Sequence, residues 1–66
     1  MNVGKSLKIA LVMRGIKQVE LARKLCVGEV YISRLANSDH AGMGTVSKLA
    51  KAVGMSVSEF IKLGEE

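Results

Sequence analysis

The sequence predicts an all-α fold, a compact set of five short helices. Three observations carry that expectation. The chain contains no proline, the residue that breaks helix interiors. Apolar residues recur three and four apart in separate stretches, the period of a helix with one buried face. Glycines punctuate those stretches where the chain must turn, and aromatic residues are scarce.

The first helix is expected over residues 3–14, with Val3, Leu7, Ala10 and Leu11 on one face. Gly15 ends it as the left-handed residue after the last turn. The second spans 18–25 and turns Leu21, Ala22 and Leu25 inward. Lys17 stands at its N-cap, a poor cap because an ammonium offers no acceptor. The third begins near Gly28 and runs to Ala36, its apolar ridge Ile32 and Leu35 joined by Val27. Residues 37–44 read as a loop rich in Asn, Ser, Asp and Gly. The fourth helix is expected over 45–53, burying Val46, Leu49, Ala50 and Val53 before Gly54 stops it. Ser56 caps a fifth at capping-box spacing from Glu59, and that helix buries Phe60 with either Val57 or Ile61. "LARKLCVG" (21–28) aligns without a gap on "LAKAVGMS" (49–56), so both are expected to be a helix end, a tight turn and a new helix start. The alignment puts Cys26 where the second copy has Gly54, in a conformation that favours glycine.

The 66 residues suffice for one domain, 1–66, and a domain this small is marginal alone. One cysteine cannot form an internal disulfide, and no Cys/His cluster suits a structural zinc. Tight helix packing and self-association are the remaining routes to stability. A single thiol without a secretion signal fits a reducing cytoplasm. The apolar run 9–13 is too short for a signal peptide or a membrane span. His40 stands beside Asp39 with no second ligand at metal spacing, and reads as a surface histidine. There is no Gly-rich phosphate cradle, no Ser–His–acid set and no pair of carboxylates in an apolar context. An enzyme is therefore not expected, nor a cofactor, metal or small-molecule ligand. The net charge of +4 is uneven. Residues 1–34 hold seven basic side chains against two acids, and residues 35–66 hold three against four. A one-sided basic field attracts a polyanion.

The second helix, the turn and the third helix form a unit held by Leu21, Ala22, Leu25, Val27, Ile32 and Leu35. That packing leaves one face of the third helix bare. Glu29 and Val30 lie there near its start, Ser33 and Arg34 a turn later, with Tyr31 and Asn37 flanking. A DNA major groove about 12 Å wide admits a helix presented this way. Arg34 can pair with guanine N7 and O6, Glu29 can accept from cytosine N4, and Val30 can touch a thymine methyl. Ser33 does not discriminate between bases. Gln18 opens the second helix, and helix N-termini bind phosphate through free N–H groups. Asn37 can donate to a backbone oxygen. Each residue also has a plainer use. Glu29 suits the helix dipole without DNA, Tyr31 can cover the core edge, and Lys5, Lys8, Arg23 and Lys24 suit a solvated face.

"KQVELARKLCVGEVYISRLANS" resembles the helix-turn-helix of the Cro and lambdoid-repressor family. "GKSLKIALVMRGIKQ" and "TVSKLAKAVGMSVSEFI" resemble that family's first and last two helices. The resemblance covers nearly the whole chain and implies a lambda-repressor-like DNA-binding domain. It implies that Gln18 touches phosphate and buttresses the first reading residue. It also implies that Glu29, Val30 and Arg34 read bases, and that Asn37 contacts phosphate. Four departures stand out. Cys26 replaces the usual turn glycine. Lys17 and Gly28 replace Ser/Thr caps. Glu29 replaces a common glutamine, which favours cytosine over adenine. Leu11 and Ala36 stand where many relatives pair an arginine with a glutamate.

The function expected from these residues is sequence-specific binding of double-stranded operator DNA by a Cro-like or phage-type repressor. One helix reads only a few base pairs, so a homodimer on a palindrome is expected, with half-sites about 34 Å apart. The dimer contact is expected at Met55, Val57, Ile61 and Leu63. Two alternatives remain open. One is a controller protein of a restriction-modification operon, which the "YIS" of the third helix also resembles. The other is an antitoxin-type protein-interaction module using the apolar surplus Ile9, Val12 and Met13.

Overall fold

The computed structural model describes residues 2–65, and among them every regular element is a helix. They are α1 (Val3–Arg14), α2 (Gln18–Leu25), α3 (Glu29–Ala36), α4 (Met43–Ala52) and α5 (Val57–Glu65). Leu7, Leu21, Ile32, Leu49 and Phe60, one from each helix, are fully buried together. Each such side chain contributes about 1.5–3 kcal/mol on burial. The helices therefore need one another, since none of this length is stable alone in water. α1 packs most extensively on α5 and also crosses α3, while α2 lies between α3 and α4.

The expected first-helix face is the one that is buried: Val3, Leu7, Ala10 and Leu11. The two apolar residues Leu11 and Ala36 are both buried. Ser56 and Glu59 form the anticipated cap: the Ser56 hydroxyl accepts from the Glu59 N–H at 3.2 Å and donates to its carboxylate at 3.1 Å. Phe60 is buried, with Val57 and Ile61 both half-buried beside it. At α2 the Lys17 side chain caps nothing, as its chemistry requires. Glu20 supplies the reciprocal half, its carboxylate accepting from the Lys17 N–H at 3.2 Å. Asn2 caps α1 by accepting from the Lys5 N–H at 3.0 Å, a cap that the sequence reading passed over.

Two expectations need correction. The fourth helix starts at Met43, two residues early, with Gly42 extended at its N-cap (φ −64°, ψ 154°). Glycine at position 44 costs about 1 kcal/mol in a helix. Burial of Val46, Leu49 and Ala50 by the same helix outweighs that cost. Its last helical residue is Ala52, and the buried Val53 is the cap. Val27, expected in the seam between α2 and α3, is 37% exposed. It follows the turn residue, and its task is in the backbone: its N–H donates to the Ala22 carbonyl at 3.0 Å.

That bond recurs. After α1, α2 and α4 the chain passes through a left-handed residue, Gly15 (φ 65°), Cys26 (φ 56°) and Gly54 (φ 73°). The next N–H then reaches back across the last turn: Ile16 to Leu11 (2.9 Å), Val27 to Ala22 (3.0 Å) and Met55 to Ala50 (2.9 Å). All three have the hydrogen-bond pattern of the Schellman motif. Cys26 alone performs the turn with a Cβ, and its side chain is exposed, so it packs against little in return. A left-handed L-residue costs roughly 1–2 kcal/mol, of which glycine's larger unfolded-state entropy returns a part. Cys26→Gly is expected to stabilise the protein by about 0.5–1 kcal/mol and raise the melting temperature by about 2–8 °C. An unchanged or lower melting temperature would show that the strain is absent.

The N-terminus of α1 is tied to the chain leaving α3. The Gly4 N–H donates to the Ser38 carbonyl at 2.8 Å and the Val3 N–H to the Asp39 carbonyl at 3.3 Å. A Cβ on Gly4 would stand 2.5 Å from the Ala36 carbonyl oxygen and 2.6 Å from that of Ser38. At the other end of the fold, Gly64 of α5 lies against Asn2 and the buried Ser6 so closely that a Cβ there would collide with both.

Candidate nucleic-acid interface

α2 is amphipathic over only two turns, enough to bury Leu21 and Ala22 and half-bury Leu25. The left-handed turn at Cys26 then redirects the chain within three residues. The backbone resumes as extended at Gly28 (φ −76°, ψ 151°), and α3 begins at Glu29. α3 buries Ile32 and Ala36 and half-buries Leu35. Its eight residues span about 12 Å, close to the width of a major groove.

The opposite face of α3 is bare. Val30 is 70% exposed, and the exposed Arg34 follows one turn later on the same face. Glu29 is exposed in the first turn, Tyr31 is 43% exposed on one flank, and Ser33 is half-buried on the other. An exposed valine in the first turn of the helix gains nothing from water, whereas the Arg34 guanidinium one turn on extends five donors in a fixed fork. Together with a carboxylate at the helix start, the face presents a donor, an acceptor and an apolar surface outward.

The remaining expected contacts flank that face. Gln18 is half-buried at the first position of α2, where the leading N–H groups have no intrahelical acceptor. Asn37 is exposed just beyond α3, and its amide folds back to donate to the Ser33 carbonyl at 2.9 Å. It thus serves first as a cap for α3 and keeps its second N–H for an outside acceptor. Met55, Val57, Ile61 and Leu63 are half-buried against the core at the α4–α5 end, well separated in sequence from the α3 face. The largest fully apolar exposures on α1 are Val12 (82%) and Met13 (62%).

Lys8, expected on a solvated face, is exposed but lies between neighbouring elements. It lines the groove that α1 forms with the start of α2, together with Leu11, Lys17 and Gln18. It also lines the neighbouring groove beside the end of α3, with Lys5, Ala36 and Asn37. Its spacing three residues before the buried Leu11 was the available signal. Among the described residues no group of three or more His, Cys, Asp or Glu could hold a metal ion, and no helix is long and apolar enough to cross a membrane.

Two short helices joined by a left-handed turn, with the second bare on its outer face, define a helix-turn-helix. A helix-turn-helix family model matches residues 7–60, most of α1 through the first turn of α5. The chain belongs to the helix-turn-helix family of the Cro and phage-repressor type, a family of DNA-binding regulators. Among curated proteins and among solved structures, none matches the chain.

Proposed function

We propose that the protein is a sequence-specific transcriptional regulator of the Cro or phage-repressor kind that lays α3 in the major groove of its operator. The exposed row on α3 carries this reading, since Val30 and Arg34 stand outward while Ile32 and Ala36 anchor the helix from behind. Arg34 pairs with guanine, Glu29 accepts from cytosine N4, and Val30 covers a C5-methyl group. Tyr31 and Ser33 flank the read bases. Gln18 and Asn37 hold phosphates and so fix the register without reading sequence.

The regulator acts as a homodimer on a palindrome, because one short helix reads too few bases for useful specificity. The contact lies at Met55, Val57, Ile61 and Leu63, whose partial exposure leaves apolar surface at the α4–α5 end. The chain 1–66 acts as one domain. Selection of bound duplexes from a random-sequence pool tests this reading. It should recover inverted repeats with centres about one helical turn apart. Recovery of unrelated sequences would refute specific reading, and recovery of a single short site would refute the dimer.

Val12 and Met13 support a second reading, a protein-interaction module of the antitoxin type. Capture of one stoichiometric protein from a lysate, with no promoter DNA, would favour it.

A further inference from the structure

We infer that Lys8 of α1 is a phosphate-positioning residue that seats α1 on the DNA backbone between the contacts of Gln18 and Asn37; this deepens the DNA-binding reading and rests on it. The observation is that Lys8 borders two adjacent grooves. One is shared with Lys17 and Gln18 at the start of α2, the other with Asn37 at the end of α3. Gln18 and Asn37 lie at opposite ends of the helix-turn-helix in sequence, yet each shares a groove with the same lysine.

The geometry follows from the core. Leu7, Ala10 and Leu11 are buried, which turns the next residues around the helix outward. Lys8 sits one turn before Leu11, at the edge of that buried face, and is exposed. Leu11 and Ala36, which line the first and second groove respectively, are buried and uncharged and offer phosphate nothing. Lys8 is the cation that lines both grooves. A lysine is a compact charge on a flexible four-carbon stem with three donors, suited to a phosphate whose position varies by an ångström or two. Asp39 also lines the second groove and would repel a phosphate there; Lys5, in the same groove, offsets it.

A phosphate contact carries no sequence information, and each one releases counterions. Lys8→Gln should therefore reduce the slope of log affinity against log salt by about 0.9. Its deficit relative to wild type should shrink about threefold between 50 and 200 mM salt. The loss should be equal on the selected duplex and on a scrambled duplex, with base preference unchanged. Lys8→Arg should keep the wild-type slope. Lys51→Gln, which removes an exposed charge from α4, is the control for long-range attraction and should leave the slope nearly unchanged. If Lys8→Gln keeps the wild-type slope, or Lys51→Gln lowers it as much, Lys8 is not a positioning residue. If the wild type binds neither duplex, the DNA-binding reading fails and this inference with it.

Discussion

Gly4→Ala should destabilise the protein by about 2–3 kcal/mol and lower its melting temperature by roughly 10–20 °C. The added methyl group meets backbone on two sides, the carbonyl oxygens of Ala36 at 2.5 Å and Ser38 at 2.6 Å. No rotamer change relieves a clash with backbone. Either the chain leaving α3 moves, or α1 does. Both movements disturb the 2.8 Å bond from the Gly4 N–H to the Ser38 carbonyl. Alanine's better helix propensity, worth up to about 1 kcal/mol, offsets only part of this cost. Gly28→Ala is the matched control. A Cβ there meets nothing within 4 Å, and the backbone is extended with negative φ, so the melting temperature should change little. Equal effects from the two substitutions would show that α1 and α3 are not in close contact. The joint matters for function because it fixes the far end of α3 to the body of the protein. A loosened joint should weaken DNA binding even in the fraction that remains folded.

Arg34→Ala should raise the dissociation constant for the selected operator about 5- to 150-fold, from a loss of about 1–3 kcal/mol. It should also relax preference at one base position in each half-site, the position at which guanine is read. The side chain is exposed, so thermal stability should stay within about 0.5 kcal/mol of wild type. This pattern differs from that of the phosphate contacts. A change at Lys8 should weaken all duplexes alike and leave the preferred sequence intact. Unchanged operator affinity and unchanged base preference in Arg34→Ala would show that the wrong face of α3 has been assigned to DNA.

Local pattern made most of the fold legible. Val3, Leu7, Ala10 and Leu11 recur at helical spacing, and the packed helix buries those four. The match of "LARKLCVG" to "LAKAVGMS" placed Cys26 in a left-handed turn, because a helix end repeats its backbone geometry wherever it occurs. Composition misled where tertiary packing overrode it. Gly42, Met43 and Gly44 look like loop, but α4 extends back to Met43 because burial of Val46 and Leu49 repays the helix. Val27 is apolar and was expected inside, yet the turn geometry holds it at the surface. The close approach at Gly4 could not be read at all. It depends on carbonyls more than thirty residues away, and glycine near a helix start is otherwise unremarked. For the candidate interface, the exposed row of α3 followed from periodicity alone. That Lys8 shares one groove with Gln18 and another with Asn37 needed the turn from α1 into α2 and the packing of α1 on α3.

The proposal that α3 reads the major groove is tested most directly by titrating the isotope-labelled protein with its selected duplex and following backbone amide resonances. The largest changes should fall on Glu29, Val30, Ser33 and Arg34, with smaller ones at Gln18 and Asn37. Changes concentrated at Val12 and Met13, with the α3 amides unmoved, would contradict it.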